Sequence, residues 1–456
     1  MRSVLCGHTM KPSSRRDFLQ RSAAGFGWLA FSALQSISAT AAQRRTDALA
    51  PKTPHHVARA KRVIFLFMEG GPSHLESFDW RPELARVGGD ARSRYLAPVF
   101  PFRPHGKSGL MISDAYPELA KQADHLCLLN GMHTQNPGHH QAVVALHTGN
   151  ENFVRPSMGS WITYGLGSEA ESLPGFVTIN PIVDKGGAAN YGSAFLPATF
   201  QGTRIGSASR GVPHIRNRRL TREDQRAQLH FVQQINQRMK RRNADHPDID
   251  GLIQSAELAF RMQSSVPEAL NLSAETRATR SLYGLDDRHT APFGTQCLMA
   301  RRLAERGVRF IQLTSTGWDH HSRMREAFEL KAGATDRPIA GLIRDLAQRD
   351  LLRDTLLVWG GEFGRQANPD NNGGRGHNNK GFTMWMAGGG VRGGYRHGAT
   401  DDLGRVAVSG RMGTHDLHAT ILHLLGLDHE QLTYQYSGRD FRLTDVAGTV
   451  AHDIMT

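Results

Sequence analysis

Thr355–Gly390 reads TLLVWGGEFGRQANPDNNGGRGHNNKGFTMWMAGGG. Leu356 to Trp359 is an apolar run too short for a helix and long enough for a buried strand. Gly360 and Gly361 end the run, Glu362 stands just past its carboxyl end, and a Gly/Asn-rich loop then carries His377. Phe382 to Ala387 is a second strand-like run, stopped by Gly388-Gly389-Gly390. In open α/β sheets ligands sit beyond the carboxyl ends of strands, which is where Glu362 and His377 are expected. A carboxylate and an imidazole on adjoining loops suit a divalent metal. The alternative is a glycine-rich surface loop with a solvated histidine.

The same pattern recurs along the chain. Val63 to Met68 has the continuous apolar character of a central parallel strand and ends at Glu69-Gly70-Gly71-Pro72. Glu69 is therefore a candidate ligand, with a turn or capping role as the alternative, while His74 and Asp79 read as structural. A strand over Val308 to Leu313 delivers Trp318-Asp319-His320-His321, where carboxylate and imidazole arrive on one loop. Adjacent side chains diverge, so Asp319 is expected to pair with one of His320 and His321, the other serving a second metal or none. A buried Asp/His pair is the alternative. Between these, a strand over Leu126 to Asn130 leads through Thr134 to Gly138-His139-His140, ahead of a helical pattern over Gln141 to Leu146. His139 and His140 would lie at a helix amino terminus, where the dipole and free N–H groups favour an anion. A neutral histidine can ligate a metal and a charged one can hold a phosphate or sulfate oxygen. His133 and His147 have solvated loop positions as their alternative. Near the end, Asp416 is placed as N-cap of a helix with Leu417, Ile421, Leu424 and Leu425 on its apolar side, which leaves His418 and His423 exposed. His415, just before the cap, is a further ligand candidate.

Strand–helix–strand order argues an α/β fold with a doubly wound, mostly parallel sheet flanked by helices. The charged stretch 202–282 reads as a helical insertion, and a helix is expected from Asp336 to Gln348 with Pro338 in its first turn. A length of 456 residues fits one large domain with such an insertion, or two domains. The net charge of +13 favours anionic substrates or surfaces, and no nucleic-acid module is present. No run of about 18 apolar residues suggests a transmembrane helix in the mature chain. Cys127 and Cys297 lie in apolar surroundings and read as buried thiols.

At the amino terminus, Ser14-Arg15-Arg16-Asp17-Phe18-Leu19-Gln20 resembles the twin-arginine export consensus. Ala23 to Ile37 is mildly apolar and Ala39-Thr40-Ala41 offers a cleavage site, so residues 1–41 read as a signal peptide. A basic tail is the alternative. Residues 42–60 read as a linker and 61–456 as the mature domain, periplasmic or extracellular.

Thr414 to Gly426, THDLHATILHLLG, resembles a helix of the sulfatases, and Leu356 to Gly364 resembles the late strand of the alkaline phosphatase superfamily. The stretches FLFMEGGPSHLESFD, GHHQAVVALHTG, GGEFGR, GHNNKGFTMWMAGGG and HDLHATILHLLGL resemble the exported family known as domain of unknown function 1501. The resemblance implies an alkaline-phosphatase/sulfatase-like fold. It places Glu69 as the first metal ligand, Asp319 with His320 or His321 as the middle ones, Glu362 as the late carboxylate and His377 as the last imidazole. Phe363 stands where that superfamily has a ligating residue, and His139 stands where it has its Ser, Thr or Cys nucleophile. Thr134 is the nearest hydroxyl. Metal-activated water or a histidine nucleophile would have to replace the covalent Ser-type mechanism.

The expected function is therefore an exported metal-dependent hydrolase of phosphate or sulfate esters, acting on a small-molecule or polysaccharide substrate. His139, His140 and Arg365 would hold oxygens. Mixed carboxylate and imidazole ligands suit zinc or manganese, with calcium and magnesium as alternatives. A catalytically inactive envelope protein that binds an anionic or carbohydrate ligand is the second expectation.

Overall fold

A computed structural model describes residues 48–90, 92–206, 215, 219–242 and 247–456. The twin-arginine segment lies outside the described residues. Leu49–Thr456 forms one compact unit.

The apolar runs become the strands of an eight-stranded sheet. In chain order they are β1 (Arg62–Met68), β2 (Leu126–Met132), β3 (Phe176–Ile179), β4 (Thr203–Ile205), β5 (Phe310–Ser315), β6 (Thr355–Gly360), β7 (Phe382–Ala387) and β8 (Tyr395–His397). Across the sheet the order is β8-β2-β7-β6-β1-β5-β3-β4. Every residue of β1, β2, β6 and β7 is buried, as a sheet covered on both faces requires.

β7 alone runs antiparallel to its neighbours β2 and β6, and the other pairings are parallel. This corrects the strand–helix–strand expectation at one point. A parallel return from β6 would need a crossover, whereas the connection here is a two-stranded antiparallel hairpin, Gly364–Pro369 with Arg375–Asn378. The consequence is functional. β1, β2, β5 and β6 all end on one rim, and β7 begins there, so the hairpin carrying His377 stands over the same rim.

Helices complete the layers: α1 (His139–Thr148), α2 (Met158–Leu166), α3 (Arg222–Arg242), α4 (Pro247–Ala269), α5 (Ala291–Glu305), α6 (Met324–Gln348) and α7 (Thr414–Leu424). The stretch expected to be a helical insertion begins with edge strand β4, which pairs with β3, and only then becomes α3 and α4. Pro338 lies inside α6, because the helix starts at Met324. Met324, Phe328 and Ala332 are buried at helical spacing and extend the stripe of Ile339, Ile343 and Leu346, so packing overrides the proline break.

Other expectations change with burial. His418 is buried, not exposed, and donates Nε2–H to the Leu146 carbonyl at 2.7 Å. His147 is not a loop residue but lies buried in α1, between the Val143 carbonyl and the Gln312 amide at 2.7 and 3.0 Å. The N-cap of α7 is Gly413. Asp416 sits three residues later and accepts the Gly413 N–H at 2.8 Å and the Thr449 N–H at 2.7 Å. Residues expected as linker are strapped to the domain, with Lys52, His56 and Arg59 donating backbone N–H groups to Leu166, Gly426 and Leu424. Cys127 and Cys297 are free and buried. Among the described residues no helix is long and apolar enough to cross a membrane.

Candidate metal centre on the sheet rim

Glu69 follows β1 directly, and Gly70 and Gly71 turn the chain away at φ +114° and +71°. A Cβ on Gly70 would lie 2.5 Å from the Asp319 nitrogen, so glycine is what lets the loop after β5 close onto the loop after β1. The Gly70 N–H in turn points at the buried Glu362 carboxylate, at 3.1 and 3.3 Å to its two oxygens.

Three histidines from three loops meet above this turn. His139 opens α1, His321 lies in the loop after β5, and His377 lies on the hairpin opposite Arg365. The Nδ1 of each is held by an acceptor: His139 by Glu362 Oε1 at 2.6 Å, His321 by Asp370 Oδ2 at 2.6 Å, and His377 by the Pro137 carbonyl at 2.8 Å. Carboxylates and carbonyls only accept, so the proton resides on Nδ1 in all three rings. The three Nε2 atoms are thereby left to face Asp319. They lie 3.2 Å (His139), 3.0 Å (His321) and 3.2 Å (His377) from its carboxylate oxygens. His139 Nε2 is buried and, despite that approach, has no hydrogen bond of acceptable geometry. His321 Nε2 and His377 Nε2 are only 2.9 Å apart, where two lone pairs repel unless a proton or a cation lies between them.

The electrostatics agree. Burial opposes charge on His139, but the adjoining Asp319 and Glu362 carboxylates outweigh it and raise its pKa to about 9. Burial also opposes ionisation of Asp319, yet the His139 and His377 rings and the Arg365 guanidinium against it hold it well below the usual carboxylate range. The cluster thus collects positive charge around one carboxylate, as a proton or as a metal ion.

The donor set fits a divalent ion. Ligand atoms of His139, Asp319 and His377 lie within 4.8 Å of one another. A tetrahedral ion with bonds of about 2.1 Å separates its ligand atoms by about 3.4 Å, close to the 3.2 Å spacings here. His321 Nε2 lies beside this set, 2.9 Å from His377 Nε2 and 3.0 Å from Asp319. Nδ1–H groups fixed by a carboxylate or a carbonyl are the usual outer partners of ligating histidines.

The remaining candidates are placed as follows. Glu69 accepts the Gly317 N–H at 3.2 Å and is ion-paired with Lys185, so it is not one of the converging donors. His320 is buried with its ring centroid 6.0 Å from each of Trp318 and Phe328, and burial lowers its pKa to about 4. Arg365, expected to hold ester oxygens, is fully buried and donates to the carbonyls of Gly70, Gly71 and Arg375 and to Asp319. His140 is exposed beside His139. Thr134 and His415 line a separate cavity of about 440 Å³ with His133, and His415 donates to the Gly149 carbonyl at 2.7 Å. Phe363 packs 4.8 Å from the His139 ring and 4.5 Å from that of His377, forming an apolar wall. Sequence reasoning missed Lys185 and Asp370. Both lie in polar, glycine-containing turns, DKGG and PDNNGG, whose composition signals a turn and nothing more.

Comparison with solved structures finds matches at low identity. The lipoteichoic acid synthase LtaP from Listeria monocytogenes is 10% identical over 88% of this chain and 80% of its own, with a TM-score of 0.40. The PsFucS1 sulfatase from Pseudoalteromonas sp. is 14% identical over 82% and 69%, with a TM-score of 0.37. The alkaline phosphatase from the Antarctic bacterium TAB5 is 11% identical over 81% and 99%, with a TM-score of 0.33. A search of curated protein sequences finds no match. A family model described as "Protein of unknown function (DUF1501)" matches residues 60–455, nearly the whole domain built around the Asp319 cluster, and the chain belongs to that family.

Proposed function

We propose that this protein is an exported, metal-dependent hydrolase of phosphate or sulfate esters. The observation that carries the reading is the convergence of three Nε2 atoms, each with its Nδ1 proton fixed, on the single carboxylate of Asp319. His139, Asp319 and His377 would hold the ion, with His321 as fourth donor. A divalent ion there supplies Lewis acidity toward an anionic ester.

The chain's own groups do the rest. Glu362 and the Pro137 carbonyl orient the ligating rings. Arg365 acts through Asp319, fixing its charge and tying together the loops after β1 and β5. The amino terminus of α1, with exposed His140, offers N–H groups to the substrate's oxygens. Thr134 lies on the separate cavity, which favours water over a covalent hydroxyl nucleophile. The twin-arginine pattern of residues 14–20 and the family resemblance support export.

Metal content of the purified protein, measured together with turnover of aryl phosphate and aryl sulfate esters, tests the reading. Bound zinc or manganese, with both metal and turnover lost in Asp319→Ala, is the expected result. A metal-free, inert protein that still binds oxyanions or glycans supports the binding-protein alternative instead.

A further inference from the structure

Glu69 and Glu362 stand on either side of Gly70, and both carboxylates are already committed. Glu362 accepts the Gly70 N–H and the His139 Nδ1–H. Glu69 accepts the Gly317 N–H and the Lys185 ammonium. Asp319 is thus left as the carboxylate facing the three Nε2 atoms, and the ring of Phe363 walls the His139–His377 side.

Lys185 reaches this position from the loop after β3, whose backbone is held by the Asn190 amide at 2.8 Å from the Lys185 carbonyl. Its side chain is 25% exposed, whereas that of Glu69 is 8% exposed, so the lysine is the more exposed half of the pair. Burial opposes its charge, but Glu69, then Glu362 and Asp184, outweigh that and keep it protonated. A metal ion on Glu69 would have to displace this ammonium.

We propose that Lys185 is the second cation of the rim: it neutralises Glu69, contributes a fixed positive charge to binding of a tetrahedral oxyanion, and leaves the rim with one divalent ion and not two. This rests on the ester-hydrolase reading.

The test uses zinc-loaded wild type, Lys185→Met and Lys185→Arg. Zinc per chain is measured by elemental mass spectrometry, and binding of inorganic phosphate and of sulfate by titration calorimetry. One zinc per chain is expected in the wild type and in Lys185→Arg, both of which keep a cation on Glu69, and at least one in Lys185→Met, where that carboxylate is freed. Phosphate or sulfate affinity should fall about tenfold or more in Lys185→Met, the size of one lost charge-assisted hydrogen bond, and recover largely in Lys185→Arg. Two zinc ions per wild-type chain would overturn the proposal, as would unchanged oxyanion affinity in Lys185→Met. Loss of zinc together with affinity in that variant would also overturn it, by showing a purely structural role. A wild type that takes up no zinc is a different result, since it removes the hydrolase reading underneath.

Discussion

His139 Nδ1 lies 2.6 Å from Glu362 Oε1, a bond between the first residue of a helix and a carboxylate more than 200 positions later in the chain. It fixes the imidazole tautomer and so decides that Nε2 is the atom presented to Asp319. Replacing Glu362 by Gln frees the ring to adopt the other tautomer. Zinc affinity, read by competition with a chromophoric chelator, is expected to drop about 10- to 100-fold, as for other outer-shell partners of metal-bound histidine. An unchanged affinity would show that Glu362 does not orient the ligand.

Metal should also stabilise the fold. An ion that binds only the native chain raises stability by about 4 kcal/mol at a thousandfold excess over its dissociation constant. Zinc is therefore expected to raise the thermal midpoint of the wild type and a chelator to lower it. Asp319→Ala should show neither response.

Arg375 and Glu76 are both fully buried and paired at 2.7 Å, and Arg375 also donates to the carbonyls of Gln366, Ala367, Leu96 and Ala97. That arginine lies two residues before His377, so it anchors the hairpin that brings His377 over the rim. Glu76→Ala leaves a buried charge unpaired and is expected to cost about 3–5 kcal/mol by urea denaturation. Zinc binding should weaken alongside.

The backbone at Gly70 admits no side chain. Its φ of +114° and the 2.5 Å approach of the Asp319 nitrogen mean that Gly70→Ala must displace one of the two loops. A loss of more than about 2 kcal/mol is expected, together with loss of metal. Gly438, also at positive φ but with open space around it, serves as the control and should lose less.

Acid should destabilise the protein well before most carboxylates titrate. Burial lowers the pKa of His147 to about 4 and that of His418 to about 3, below the ordinary histidine value. The unfolded chain therefore binds more protons below pH 6.5. This contribution is whole above that pH and is lost as pH falls towards 4, by about 3 kcal/mol for a shift of the His147 size. Asp336 works the other way. Burial raises its pKa to about 6, so its contribution is largest below pH 4 and fades as pH rises through 6. With His320, whose pKa burial also lowers to about 4, three histidines stand against one aspartate and leave a net fall in the urea midpoint between pH 6.5 and 4. His147→Gln should flatten the slope, and a slope that does not change would contradict this assignment.

Sequence by itself settled what local physics can settle. Continuous apolar runs such as Val63–Met68 and Leu356–Trp359 have to be buried on both faces, which made them sheet strands, and glycines after them marked where the chain turns at a rim. The candidates Glu362, Asp319, His321 and His377 were legible as polar residues in the loops that follow strands, and His139 as the residue opening a helix. Tertiary structure alone decided which of them meet. The antiparallel entry of β7 sets the hairpin, and with it His377, above Asp319. The close approach at Gly70 joins the loops after β1 and β5. Burial separates His320 from His321, one residue apart in sequence. Lys185 and Asp370 could not be found in advance, because an ion pair depends on distance in space, and nothing in their turn-forming neighbours records which distant residue they will reach.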